Sequence, residues 1–474
     1  MAAMRRDAVQ LPLAAAAAVL YGALVATAPM LAIALTGGVA LVVLTFAFPV
    51  AHFTLLLVAT AIVPYTVQND LGLGGGSGAP GLVISDVLLL TGLARGIYAL
   101  LASPRLSAVE LLGIGLLVAY LSVTTAQFAR GVFLNGADIS QAGDELRSVN
   151  GLAAMLIALP LLREPGSRRR LLNGLLVVGL ALGAWGIAQW ALKLGFSGGF
   201  GLRGGGGQAG PPQLQGGLYG FPVAVALSLA ALVAEDPPRG RARWLVIATL
   251  GINGICVVLT YERTFILITL LAAAVIVLRA GRTQRARAVV LVPIAAVLIC
   301  IPLAVASPAT LTTARERLLS LGQYGDDPSV RDRVVESQHV IQQIRLQPVA
   351  GSGLGAAVWW GRPENEVPPS IQYFAHNGYL WISWKLGIPA AVLLFGSIVL
   401  AGLRPGRARG TPVFAMVAIG AQAILLGLIV ACVTFPSVMA RPITPTMGLL
   451  LAFCLVPRAQ DRMAPPMRRA RAAP

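Results

Sequence analysis

Apolar runs long enough to cross a bilayer follow one another along most of the chain, separated by short polar connections. A membrane-crossing helix needs about 20 mostly apolar residues. Windows of that kind lie near 9–28, 30–48, 50–66, 82–102, 106–128, 147–162, 171–194, 214–234, 243–260, 262–279, 288–306, 377–402, 412–434 and 441–457. The pattern predicts an all-α polytopic membrane protein of about fourteen spans. It divides the chain into an eleven-helix region (1–306), one large loop (307–375), three further spans (376–457) and a basic tail (458–474). Ala26-Thr27-Ala28 has the form of a signal-peptidase site. Pro29 and the immediate onset of the next run favour an uncleaved first helix.

Composition removes the soluble classes. The chain is 57% apolar and 12% charged, with a mean hydropathy of +0.78. Ordinary globular domains carry about 25% charged residues. Cys256, Cys300, Cys432 and Cys454 all fall inside apolar runs and read as small hydrophobes, with no metal spacing and no disulfide implied.

The net charge of +17 bears on orientation. Alternate connections hold Arg5 and Arg6, Arg105, Arg163 with Arg168–Arg170, Arg239–Arg243, Arg279–Arg287, Arg404–Arg409 and the tail. The intervening connections are poor in basic residues apart from the long loop. By the positive-inside rule both termini are cytoplasmic and the 307–375 loop is external. The basic clusters form no aromatic-laced face of the kind nucleic acid needs, so no nucleic-acid partner is expected.

Two segments on the external side stand apart. Gly195 to Gly217 is glycine-rich without G-K-[ST], which points to a lid or linker and not a phosphate-cradling loop. The long loop contains a helical pattern from Val330 to Gln347, opened by a turn at Gly325-Asp326-Asp327-Pro328-Ser329. Val330, Val334, Val340, Ile341 and Ile344 share its apolar face, and Arg333 and Ser337 fall in the same stripe. An arginine there requires an anionic partner, either a ligand or an internal ion pair, unless it snorkels. Arg263, in Tyr261-Glu262-Arg263-Thr264, sits where a span opens on the arginine-poor side. Such an arginine marks a polar cavity or pairs locally. Of the three histidines, His52 reads as structural and His339 as solvated. His376 opens the twelfth span, either as a proton acceptor for an incoming hydroxyl or as a capping residue.

The run His376-Asn377-Gly378-Tyr379-Leu380 through Gly387-Ile388-Pro389 resembles the H-N-x-Y-L…G-[IL]-P motif of the O-antigen ligase and polymerase family. Arg333 followed by Pro348-Val349-Ala350-Gly351-Ser352-Gly353-Leu354-Gly355 is similar to that family's arginine and glycine segment, and Tyr261-Glu262-Arg263-Thr264 to its S-R-[GT]. Glu262 stands where serine is common, and fourteen spans exceed the usual twelve.

The resemblance implies a GT-C-like membrane glycosyltransferase of the bacterial inner membrane, needing neither metal nor cofactor. It would transfer a glycan with inversion from a polyprenyl (undecaprenyl) diphosphate carrier to a glycan, lipid or protein acceptor. His376 would be catalytic, and Arg263 and Arg333 would hold the diphosphate. Asn377, Tyr379, Arg147 and Arg203 would be secondary contacts. Ligase and repeat-unit polymerase both fit this scheme. Trp359, Trp360, Tyr373, Tyr379, Trp381 and Trp384 supply either a sugar-stacking surface or an interfacial belt. A lipid-linked glycan transporter is the competing class. It would show repeated halves and polar breaks near the midplane.

Overall fold

A computed structural model of the chain describes residues 29–63, 83–103, 106–192, 214, 220–319, 328–362, 367–405 and 410–456. The expected first span, the glycine-rich segment apart from Leu214, Arg203, the Asp326-Asp327 turn and the basic tail lie outside these residues.

The order begins with α1 (Pro29–Ala47), α2 (Pro49–Ala61), α3 (Ile84–Leu101) and α4 (Ala108–Ala129), which ends in a π turn, Arg130–Leu134. Next come α5 (Ile139–Asn150), a 3-10 turn at Gly151–Ala153, α6 (Ala154–Arg163), α7 (Pro165–Leu192), α8 (Gly220–Val233), α9 (Gly240–Leu259), α10 (Arg263–Arg279) and α11 (Arg282–Ala306). The long loop holds α12 (Pro308–Leu319), α13 (Pro328–Leu346) and an antiparallel hairpin of β1 (Val358–Arg362) and β2 (Val367–Gln372). The chain then forms α14 (Gly378–Leu386), α15 (Ile388–Leu403), α16 (Pro412–Ala431) and α17 (Thr444–Leu455).

Among the described residues seven helical stretches are long and apolar enough to cross a membrane, or eight if α1 and α2 count as one span. Those two helices meet at 116°. Pro49 lacks an N–H and drives Phe48 out of the helical region, to φ −126° and ψ 57°.

The expected single span 377–402 needs correction, because it is two helices broken at Gly387. Gly387 has φ 91°, and a Cβ there would collide with the Val349 carbonyl. Pro389 then restarts the helix in its first turn. The 441–457 run is also shorter than its apolar length suggests, since only 12 residues are helical.

Packing is arranged around α16, in whose spanning window 83% of the residues are buried, against 11% in that of α11. Val289, Val290, Ile294, Val297 and Leu298 of α11 are exposed. That surface would be a liability in water and suits hydrocarbon.

Several arginines from the basic connections close helix C-termini at one end of the bundle. Arg168 Nε donates to Leu162 O (2.7 Å) and Arg285 Nε to Val277 O (3.2 Å). Arg279 donates to Gly402 O (2.8 Å), Arg287 to Ala234 O (2.7 Å) and Arg404 to Cys454 O (2.8 Å). The last carbonyls of a helix have no partner of their own, so cations settle there. The Arg168 guanidinium also lies 4.3 Å over the Phe414 ring, so α16 starts at this end.

Within the loop, the expected helix 330–347 is present as α13, but its apolar face is turned. Val340 and Ile344 are buried, while Val334 is 51% and Ile341 36% exposed. The buried stripe runs Glu336, Val340, Ile344 at four-residue steps, and Glu336 is only 3% exposed. The β-hairpin is a feature the sequence pattern does not announce. Pro368 and Pro369 in β2 argue against a strand, and are tolerated because a two-stranded sheet has only edges.

Candidate functional site

The C-terminal turn of α16, at the end opposite the arginine closures, is where the start of α14, just after His376, and the start of α10, which bears Arg263, meet. Gly378 N donates to Cys432 O (2.7 Å) and the Tyr379 hydroxyl to Ile429 O (2.7 Å), which docks the start of α14 there. Thr264 Oγ1 lies 3.1 Å from Thr434 Oγ1, which docks the start of α10 on the same segment.

His376 is held by Glu336. The buried carboxylate Oε2 accepts from the His376 backbone N–H (3.2 Å) and lies 3.0 Å from Nδ1. An ionised carboxylate only accepts, so this contact assigns the proton of the neutral ring to Nδ1. Nε2 then carries the lone pair, and it has no hydrogen-bond partner among the described residues. The His376 side chain is 41% exposed against 4% for Glu336, so the dyad has a buried anchor and an accessible working edge. Phe374 packs edge-on against the imidazole at 5.1 Å. Such an arrangement orients a general base.

Glu336 is absent from the expected site residues. Its four-residue spacing to Val340 and Ile344 puts it on the buried face, but the apolar positions alone do not single out that face, since Val334 and Ile341 are exposed. Arg333 sits on the same helix, half-buried, about one turn before Glu336.

Arg263 is the first residue of α10 and half-buried. The turn before it is tight. Tyr261 adopts φ 52° and is 2% exposed, while Thr260 accepts from Glu262 N–H at 3.2 Å. A non-glycine residue in the left-handed region costs energy and clusters at functional sites. Guanidinium and helix N-terminus here add positive potential at one point, which favours an anion.

The remaining expected residues have local partners. Asn377 caps α14, its Oδ1 accepting from Tyr379 N (3.0 Å) and Leu380 N (3.1 Å). The Tyr379 ring packs 4.3 Å from Phe395. Arg147 lies 3.3 Å from Asp86 and 3.1 Å from Asp144, and Asp86 also takes Arg441 at 2.9 Å. These contacts use the Arg147 guanidinium for packing α5 against α3.

The glycine segment 351–355 is a splice between helices. Gly351 N donates to Gln347 O, Ser352 N to Trp384 O (2.7 Å), Gly353 N to Lys385 O (3.0 Å) and Leu354 N to Gln127 O (3.1 Å). Gly355 N donates to Glu145 Oε2 at 2.7 Å. With five successive N–H groups engaged, the segment offers no anion nest. Gly131 and Gly353 allow the backbones to touch, since a Cβ on Gly353 would stand 2.8 Å from the Gly131 Cα. Beneath lies a buried ion pair, Lys385 Nζ to Glu145 Oε1 at 2.8 Å, with Nζ also donating to Ala356 O and lying 4.3 Å over the Trp384 ring.

Residues 245–395 match the family model described as O-antigen ligase. That segment contains Arg263, Arg333, Glu336 and His376. No match is found among curated proteins or among solved structures.

Proposed function

We propose that the chain, whose residues 245–395 match the family model described as O-antigen ligase, transfers a glycan from a polyprenyl diphosphate carrier to an acceptor hydroxyl at the periplasmic face of the bacterial inner membrane. The observation that carries the reading is the Glu336–His376 pair with Nε2 open. Nε2 takes the acceptor proton as the acceptor oxygen bonds to the anomeric carbon. The carbon–oxygen bond to phosphate breaks on the opposite side, and its electron pair leaves on the diphosphate. The sugar is inverted. A diphosphate is a good leaving group, so the remaining need is to hold it and neutralise developing charge, which guanidinium forks do well. Arg263 and Arg333 are assigned that work. Ligase-type transfer to the outer-membrane lipid is the first reading and repeat-unit polymerisation the second, since the family's chemistry serves both.

The glycan banding of a strain lacking the gene tests this. Loss of all glycan from the outer-membrane lipid identifies a ligase, collapse to single repeat units identifies a polymerase, and unchanged banding overturns both. Arg263→Glu and Arg333→Glu are expected to abolish donor use in membranes while expression stays normal; retained transfer removes the residue from the site. His339→Ala is expected to leave transfer unchanged, because its Nδ1 lies 2.9 Å from the Val335 carbonyl of its own helix.

A further inference from the structure

At the end of the bundle away from His376, the last turns of α3 and α6 border an open cleft of about 430 Å³. Leu100, Pro160 and Leu161 form its apolar wall, and Arg95, Arg163 and Glu164 supply charge. Two of those charges are already occupied. Arg163 Nε lies 3.4 Å from the fully buried Glu110 carboxylate, and its Nη1 donates to Ser103 Oγ at 2.9 Å. Glu164 accepts the Ser167 hydroxyl at 2.7 Å.

Arg95 differs. Its Nη1 is shut away from solvent without a hydrogen-bond partner among the described residues. Glu164 acts on the Arg95 charge across the cleft but gives Nη1 no hydrogen bond, and a shielded charged donor without an acceptor is costly. What the cleft lacks is therefore an anion with several oxygens. The guanidinium fork matches a phosphate in shape and charge. Beside the cleft, the outer face of α3 exposes Tyr98 (67%) and Leu101 (81%), an apolar surface along which acyl chains fit. Glu164 on the rim disfavours a highly charged guest, so a singly charged phosphodiester suits the site better than a dianion.

We propose that this cleft binds a phosphate group, with Arg95 as its principal ligand. The phosphodiester of an anionic phospholipid and free inorganic phosphate share that chemistry, and the experiment separates them. Full-length protein in detergent is titrated with phosphatidylglycerol, with phosphatidylcholine as control, and read by native mass spectrometry. Inorganic phosphate is followed through the shift in thermal unfolding. Arg95→Gln is expected to weaken binding about tenfold, the value of one charge-assisted contact. Ala99→Phe, which fills the cleft and leaves Arg95 in place, is expected to weaken it similarly. Dependence of phosphatidylglycerol binding on both positions assigns a lipid headgroup; dependence of the phosphate shift alone assigns the free ion. Wild-type protein that binds neither, or an Ala99→Phe protein that binds both as well as wild type, overturns the proposal even where Arg95→Gln does not fold.

Discussion

Replacing His376 with alanine is expected to lower glycan transfer by about 10²–10⁴-fold, the usual worth of a positioned general base. The measurement is transfer of a labelled glycan from its lipid-linked donor in proteoliposomes, with thermal unfolding as the control for folding. The imidazole is 41% exposed, so its loss leaves the core packing intact. Glu336→Gln sharpens the test. Its carboxylate is buried and reaches both Nδ1 and the backbone N–H of His376. Gln keeps the volume and removes the charge. Transfer is expected to drop about tenfold to hundredfold, in kcat with KM unchanged, because the substitution misorients the base without touching the donor site. A Glu336→Gln enzyme with normal kcat would show that the carboxylate does no more than pack α13, and a fully active His376→Ala enzyme would remove the base altogether.

The second large effect concerns stability. Lys385→Met leaves the Glu145 carboxylate buried without its cation, and is expected to cost about 3–5 kcal/mol. Equilibrium unfolding in lipid nanodiscs measures it. Lys385 is fully buried, so no solvent rescue is available. The double variant Lys385→Met with Glu145→Leu is expected to recover most of that loss, since apolar replacements of similar volume often match a buried pair. Equal damage from the single and double variants would mean that the Ala356 and Trp384 contacts, and not the ion pair, anchor the glycine segment.

Much of the architecture is legible in the chain. The expected apolar runs that lie within the described residues all contain helix, and Pro49 falls between two of them where the structure bends, whereas the break at Gly387 inside the expected span 377–402 escaped the apolar count. The bend angle at Phe48 is not legible, because it depends on how α2 packs against α3 and α7. The reach of each helix also escapes a ruler that counts apolar residues: residues 441–443 belong to a turn, although they sit in an apolar run.

Site residues divide along similar lines. His376, Arg263 and Arg333 stand out by chemistry in apolar surroundings. Glu336 does not, because five apolar residues on α13 spread too widely for periodicity to choose the centre of the face. Val334 and Ile341 pull the apparent stripe one way, and contact with α14 settles it the other. A partner forty residues away decided that orientation, which no local pattern records.

The arginines that close helix ends also bear on the order of assembly. Arg287 reaches back to α8, a helix synthesised before it, whereas Arg279 must wait for residue 402 and Arg404 for residue 454. The ring of ties is therefore completed only when the final helix enters the membrane. A ribosome that stops short of α17 releases a bundle in which the Arg404 fastening is still open while the earlier ones are closed.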